Sequence, residues 1–199
     1  MKGAKGEKRK QELLGIAYQL FIQKGYEETS IDEIIAQANI AKGTYYYYFP
    51  SKEATLEAVI DMMIDNEVRR AREILSAPIP VPQKMIGVIT SLHPEQDENN
   101  IADALNKKEN TVMHERVSRR IIDEAVPLLT QVVSEGIAQG IFACNYVEER
   151  VRMILILSDH LIDSGNFTAG TIEVFIDMVE KSLGAQPGTL GYIHELIRW

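Results

Sequence analysis

Four consecutive tyrosines, Tyr45 to Tyr48, stand between two lysines in the run Ala41-Lys42-Gly43-Thr44-Tyr45-Tyr46-Tyr47-Tyr48-Phe49-Pro50-Ser51-Lys52. A tyrosine offers a flat apolar ring and a hydroxyl that can donate to a phosphate oxygen, and a lysine ammonium neutralises phosphate charge. On a helix, four successive residues subtend ~300° at ~100° each, so the tyrosines cannot all be core. Tyr45 and Phe49 are four apart and share an inward face with Ile40, which leaves Lys42, Gly43, Thr44, Tyr46, Tyr47 and Tyr48 to point elsewhere. Gly43 removes a side chain where a backbone must approach a groove floor, and a helix N-terminus favours phosphate. Pro50 then ends the segment, Ser51 can cap the next helix, and Lys52 sits in that helix's first turn. A lysine there opposes the helix dipole unless an anion is nearby, and a DNA phosphate would supply one.

No catalytic chemistry competes with this reading. His114-Glu115-Arg116-Val117-Ser118 begins like a zinc-protease HExxH helix but has Ser118 where the second histidine must stand. There is no GxSxG, Walker-type loop or Rossmann glycine pattern, and the four histidines, at 93, 114, 160 and 194, show no i, i+3 or i+4 pairing. No catalytic residue, metal site or cofactor is expected. Cys144 is the only cysteine, which excludes an intrachain disulfide framework and makes a reducing, cytoplasmic setting the default. In that setting the sequon Asn166-Phe167-Thr168 carries no meaning. The basic start, Met1 to Lys10, is followed by no apolar run of signal-peptide length. The most apolar stretch, Val151 to Leu157, contains Arg152 and is far short of the ~18 residues that cross a bilayer, so no membrane partner is expected.

With 199 residues, 45% hydrophobic and 25% charged, the chain can bury a sizeable core in one large or two small domains. Its net charge of −8 argues against a nucleic-acid partner until the distribution is examined. Residues 1–52 carry eight Lys or Arg against six Asp or Glu, a charge of +2, and the remainder is strongly acidic. A slightly basic head on an unrelated acidic body is the expected asymmetry of a DNA-binding protein. The basic arm itself fits equally a solubilising tail or a minor-groove reader.

The elements that position the tyrosines follow from periodicity and caps. Leu13, Ala17, Leu20 and Phe21, with Ile16 beside them, make one amphipathic helix that Lys24 and Gly25 end. Ser30-Ile31-Asp32-Glu33 is a capping box, and the short helix it opens has the apolar face Ile31, Ile34, Ile35 and Ala38. Asn39 tolerates positive φ and so permits a tight turn into the tyrosine helix. Two short helices and a tight turn make a helix-turn-helix.

The stretch from Thr29-Ser30-Ile31 through Lys52-Glu53, and above all Ile40 to Glu53, resembles the DNA-binding domain of TetR-family transcriptional regulators. Asn39 stands where the family commonly has Gly, Tyr45 where it has Leu and Ala41 where it has Ser. Carried over by position, the resemblance implies that Thr29, Ser30, Lys42, Tyr47, Tyr48 and Lys52 hold phosphates, while Gly43, Thr44 and Tyr46 approach base edges. It implies an all-α fold, with an N-terminal three-helix bundle over residues 1–52 and a larger helical ligand-binding and dimerisation domain over 53–199. It further implies a repressor that binds a palindromic operator in double-stranded DNA as a homodimer and is released by a small-molecule effector.

In the body, Ser51 to about Leu75 reads as a long helix. Ala77-Pro78-Ile79-Pro80-Val81-Pro82 reads as a rigid non-helical connector. Helices are expected over Gln83 to His93, Ile101 to Asn106 and Thr111 to Gly140, the last bent at Pro127, with a polar loop from Pro94 to Asn100. Glu148 to Ser164 and Thr171 to Leu183 follow, then a loop and a short final helix over Tyr192 to Trp199. The apolar stripes Val151, Ile154, Leu155, Ser158, Leu161 and Ile162, and Ile172, Phe175, Ile176, Val179 and Leu183, are broad enough to meet a second subunit. Of these, Ile154, Leu161, Ile172, Phe175, Ile176 and Val179 are expected at the dimer interface. Met62, Met63, Met85, Met113 and His114 fall on segments that could line the effector pocket, methionine being suited to adaptable apolar sites and equally to plain core. A binding protein that keeps its head unused, or an enzyme with an accessory helix-turn-helix, are the rival classes at this point.

Overall fold

Leu13, Ala17, Leu20 and Phe21 are all buried on the first helix, α1 (Lys2–Lys24). The computed structural model describes residues 2–94, 98–107, 110–163 and 168–192, and the side chains of all of these but 2–5, 162 and 163. The final helix expected over 192–199 lies, from 193 on, outside the described residues, as do Asn166, Phe167 and the side chain of Ile162. Helix α1 ends at Gly25, whose φ of 88° is free of the Cβ penalty and whose amide donates to Phe21 O at 2.9 Å.

After α1 come α2 (Ile31–Ala38), α3 (Lys42–Tyr48), α4 (Lys52–Ser76), α5 (Val81–Ser91), α6 (Asn99–Leu105), α7 (Thr111–Ala138), α8 (Val147–Asp163) and α9 (Ala169–Leu183). Among the described residues all regular structure is helical, so the fold is all-α. The chain forms two compact units, Met1–Asn66 with Pro94–Val117 and Glu67–His93 with Ser118–Trp199; α4 and α7 contribute residues to both.

In the first unit α1 packs on α2 and α6, and α2 on α3. Leu13, Phe21, Ile34, Tyr45, Leu56 and Val59 are fully buried there, each such side chain stabilising the fold by roughly 1.5–3 kcal/mol. Three polar ties join α1 and its following turn to the α6 segment. Tyr18 Oη donates to Glu98 Oε1 at 2.7 Å, Asn100 Nδ2 donates to Ile22 O at 2.7 Å, and Lys107 Nζ pairs with Glu27 at 2.8 Å. That pairing holds the Glu27 carboxyl below its ordinary range.

In the second unit α8 packs on α9. Lys84 on α5 reaches Glu135 on α7 at 2.8 Å, with the ammonium stem nearly enclosed. Gly136 is required by packing, because a Cβ there would lie 2.3 Å from the Phe142 ring. The buried Glu180 carboxylate accepts from the Gly188 and Leu190 amides at 2.9 and 2.7 Å, which satisfies it without a cation.

One expectation changes here. The connector ends earlier than anticipated, since Val81 and Pro82 already belong to α5. A first-turn proline has no helical acceptor to lose and its fixed φ suits the helix, so the alternate prolines stop being an obstacle two residues sooner. Helix α7 runs through Pro127 as one helix.

Candidate nucleic-acid interface

Helix α3 is set by the two elements before it. Ser30 Oγ accepts from the Glu33 amide at 3.2 Å and the Glu33 carboxylate accepts from the Ser30 amide at 2.9 Å, which completes the capping box and fixes where α2 starts. Lys24 also pairs with Glu33, and this ammonium, ahead of the Ser30 bonds, pulls the carboxyl down to about 2. At its other end α2 stops on Asn39, held at φ 49° and ψ 56°, with its amide donating to Ala36 O at 3.1 Å. This left-handed residue reverses the chain without a glycine, and Ala41, extended at φ −75° and ψ 147°, opens α3.

Tyr45 and Phe49 anchor α3 inward. The Tyr45 ring lies 5.9 Å from Phe49, and its hydroxyl meets Thr55 Oγ1 at 2.5 Å. Thr55 gives its one proton to Ser51 O, so Tyr45 is the donor to Thr55. Burial pushes the Tyr45 phenol above its usual range. This locked side fixes which residues face out. Tyr47 is 81% exposed and Tyr46 43%, while Thr44 and Tyr48 are half-buried and Lys42 and Gly43 exposed. A Cβ built on Gly43 would meet nothing within 4 Å. Nothing among the described residues requires a glycine there.

Lys42 pairs with Asp32 at 3.2 Å, both largely exposed, a contact worth ~0–1 kcal/mol and readily exchanged for a phosphate. Lys52 opens α4 and folds back, its Nζ 4.3 Å over the Tyr26 ring and donating to Glu27 O at 3.1 Å. Tyr48 stacks edge-on against Tyr47 at 5.0 Å, and its hydroxyl lies close to Gly6 of α1. Ser30 is exposed at the start of α2. Thr29 differs from the other predicted phosphate ligands. It is 1% exposed, and its hydroxyl donates to Gly25 O at 2.8 Å and Leu20 O at 3.3 Å. Its hydroxyl closes the end of α1 and does not face solvent. Its neighbour Ser30 does.

The remaining predicted residues divide. Met62, Met63, Met113 and His114 belong to the first unit and Met85 to the second; Met63 and Met85 are buried and the others half-buried. On α8 and α9, Ile154, Leu161 and Ile172 are half-buried, whereas Phe175, Ile176 and Val179 are buried within their own chain. The stripe of those three residues is turned inward by α9 and belongs to the core of the second unit. Among the described residues, the exposed large apolar side chains of these helices are Met153, at 70%, Ile156, Val174, at 68%, and Met178. Met153 with Ile156 and Val174 with Met178 stand at i, i+3 and i, i+4 spacing, so each pair shares one helix face. Among the described residues no group of three His, Cys, Asp or Glu could hold a metal ion, and no helix is long and apolar enough to cross a membrane.

Residues 13–59 match the family model for bacterial regulatory proteins of the tetR family, and residues 93–177 match the tetracyclin repressor-like C-terminal domain. The chain is 27% identical over 138 residues to the HTH-type transcriptional repressor KstR2 of Rhodococcus jostii, covering 67% of this chain and 68% of that one. It is 43% identical over 62 residues to the HTH-type transcriptional regulator YuxN of Bacillus subtilis, covering 31% of this chain and only 21% of that protein's length. The crystal structure of RolR in complex with resorcinol has the same fold, with a TM-score of 0.66 at 19% identity over 99% of this chain and 97% of that one. Two family models covering head and body in the right order, on a fold whose third helix turns its tyrosines outward, identify the chain: it belongs to the TetR family of DNA-binding transcriptional regulators.

Proposed function

We propose that the protein is a ligand-responsive repressor that binds a palindromic operator as a cytoplasmic homodimer and leaves it when a small molecule enters the helical body. The observation that carries this is the outward face of α3, where Tyr46 and Tyr47 are exposed and Gly43 borders open space that the chain does not use. Residues 1–52 serve DNA, and 53–199 serve ligand binding and dimerisation. Ser30, Lys42, Tyr47, Tyr48 and Lys52 take phosphates, and Gly43, Thr44 and Tyr46 face base edges. Thr29 supports them from beneath by closing the α1 turn. The repressor reading is supported by KstR2, named a transcriptional repressor, and the effector reading by RolR, crystallised with resorcinol. Met62, Met63, Met85, Met113 and His114 are the residues assigned to the effector.

The test is a binding titration on a duplex selected from random sequence, with a scrambled duplex beside it. Lys52→Ala weakens both duplexes and lowers the slope of log affinity against log salt by about 0.9 per subunit, the signature of one lost phosphate in each half-site. Tyr47→Phe weakens both without changing the slope, because the phenol is neutral. Thr44→Ala and Tyr46→Ala change the order of preference among duplexes, each lost base contact being worth ~1–3 kcal/mol. Equal effects of all four on selected and scrambled DNA would refute this division of roles. Selection that enriches no sequence would refute the function itself.

A further inference from the structure

The basic start of the chain is helical. Helix α1 runs from Lys2, so Lys2, Lys5, Lys8, Arg9 and Lys10 extend the same rod that carries the core residues Leu13 and Ala17, with Glu7 the one acid among them. This extension is docked on the helix-turn-helix at three places. Arg9 Nη2 donates to Ala38 O, the last carbonyl of α2, at 3.2 Å, while its other nitrogen pairs with Glu12 at 2.6 Å. Lys10 Nζ lies 6.0 Å above the ring of Phe49, the residue that ends α3. Tyr48 Oη sits 3.8 Å from where a Cβ on Gly6 would be. The extension is therefore held beside the end of α3, against Tyr48 and Phe49.

Its charges have the wrong sign for the helix. Lysines in the opening turns meet the positive end of the macrodipole, and no acid stands in the first turn to offset them. Arg9 is consumed by Glu12 and Ala38 O, but among the described residues Lys8 and Lys10 make no ion pair. Lys8 is exposed. A polyanion running past the end of α3 would relieve this repulsion. An anionic membrane is the other polyanion to weigh, but an interfacial helix needs an exposed apolar face, and the apolar face of α1, Leu13, Leu14, Ala17, Leu20 and Phe21, is buried in its own unit.

We infer that the amino-terminal turns of α1 are a second DNA-backbone contact, with Lys8 and Lys10 each taking a phosphate outside the stretch read by α3. This rests on the DNA-binding reading above and extends its footprint to a segment which that reading leaves idle.

The experiment compares full-length wild type with the Lys8→Ala/Lys10→Ala double variant in fluorescence titrations over a salt series, on the selected and the scrambled duplex. The expected result is a log–log salt slope lower by about 0.9 per lysine, roughly 1.8 per subunit, with the two duplexes weakened by the same factor. A Lys8→Arg/Lys10→Arg variant keeps the wild-type slope. Equal thermal melting of wild type and variants shows that the fold is intact. An unchanged slope in the alanine variant, with wild type binding normally, overturns the inference while leaving the function standing. An unchanged slope accompanied by lysine-dependent binding to phosphatidylserine vesicles overturns it in favour of a membrane. Failure of wild type to bind any duplex removes the function and this contact together.

Discussion

At the scale of single residues, Gly43 separates what the fold needs from what the partner needs. Its φ is not in the left-handed region and its Cβ position is empty, so Gly43→Ala meets no steric obstacle in the protein. Alanine in a helix is more stable than glycine by roughly 0.5–1 kcal/mol, so the variant should raise the urea midpoint slightly while lowering DNA affinity at least tenfold. A variant that gains stability and keeps full affinity would show that no groove floor approaches this backbone. Glu33 makes a different point. Its carboxyl is held down to about 2 from 4.5, so its contribution is present above the unfolded value and is lost as pH falls from about 4.5 toward 2. Glu33→Gln should flatten the acid limb of a stability-against-pH curve in that window and lower stability at pH 7, where the contribution of the carboxylate through Lys24 and Ser30 is fully present. The capping box, Asn39 and the inward pair Tyr45 and Phe49 are all legible in sequence, because each follows from local geometry. The inward turn of Thr29 is not, since it depends on where α1 places the carbonyls of Leu20 and Gly25.

Among elements, those with strong periodicity were predictable and their ends less so. The start of α1 within a lysine-rich, glycine-containing segment has no propensity signal, and its helical form coincides with contacts to Ala38, Tyr48 and Phe49 that lie far along the chain. Tertiary contact of this kind outweighs a weak local preference. The ties between α1 and the α6 segment were equally invisible, because nothing in the spacing of Tyr18 and Glu98 signals that they meet. They differ in worth. Glu98 is buried, so Tyr18→Phe takes a donor from an enclosed carboxylate and should cost about 1.5–3 kcal/mol. Lys107→Ala breaks a solvent-exposed pair and should cost under about 1 kcal/mol. Urea unfolding of the two variants checks the order; a larger loss for Lys107 would mean the α6 segment is held chiefly by charge.

For the whole molecule, the net charge of −8 conceals a head of opposite sign, and the apolar stripes conceal a division between inner and outer faces. Sequence periodicity marks an apolar face but cannot say whether the chain itself or a second copy covers it. Phe175, Ile176 and Val179 are covered by their own unit, while Met153, Ile156, Val174 and Met178 are left open on α8 and α9. An operator with two-fold symmetry requires an isologous contact, in which the same patch serves both subunits, and these four residues offer the apolar surface for it. The two faces therefore respond differently to substitution. Val174→Asp together with Met153→Glu should leave the melting of the monomer close to wild type, yet give a single-subunit mass in sedimentation and lower affinity for a palindrome by orders of magnitude, because the second head no longer binds as an intramolecular event. Affinity for an isolated half-site should be unchanged. Ile176→Ala should do the reverse at the level of the fold, destabilising each subunit by about 2–5 kcal/mol through a cavity. A charged outer-face variant that still sediments as a dimer would move the interface elsewhere on the body and leave the exposed methionines and valine of α8 and α9 without a role in assembly.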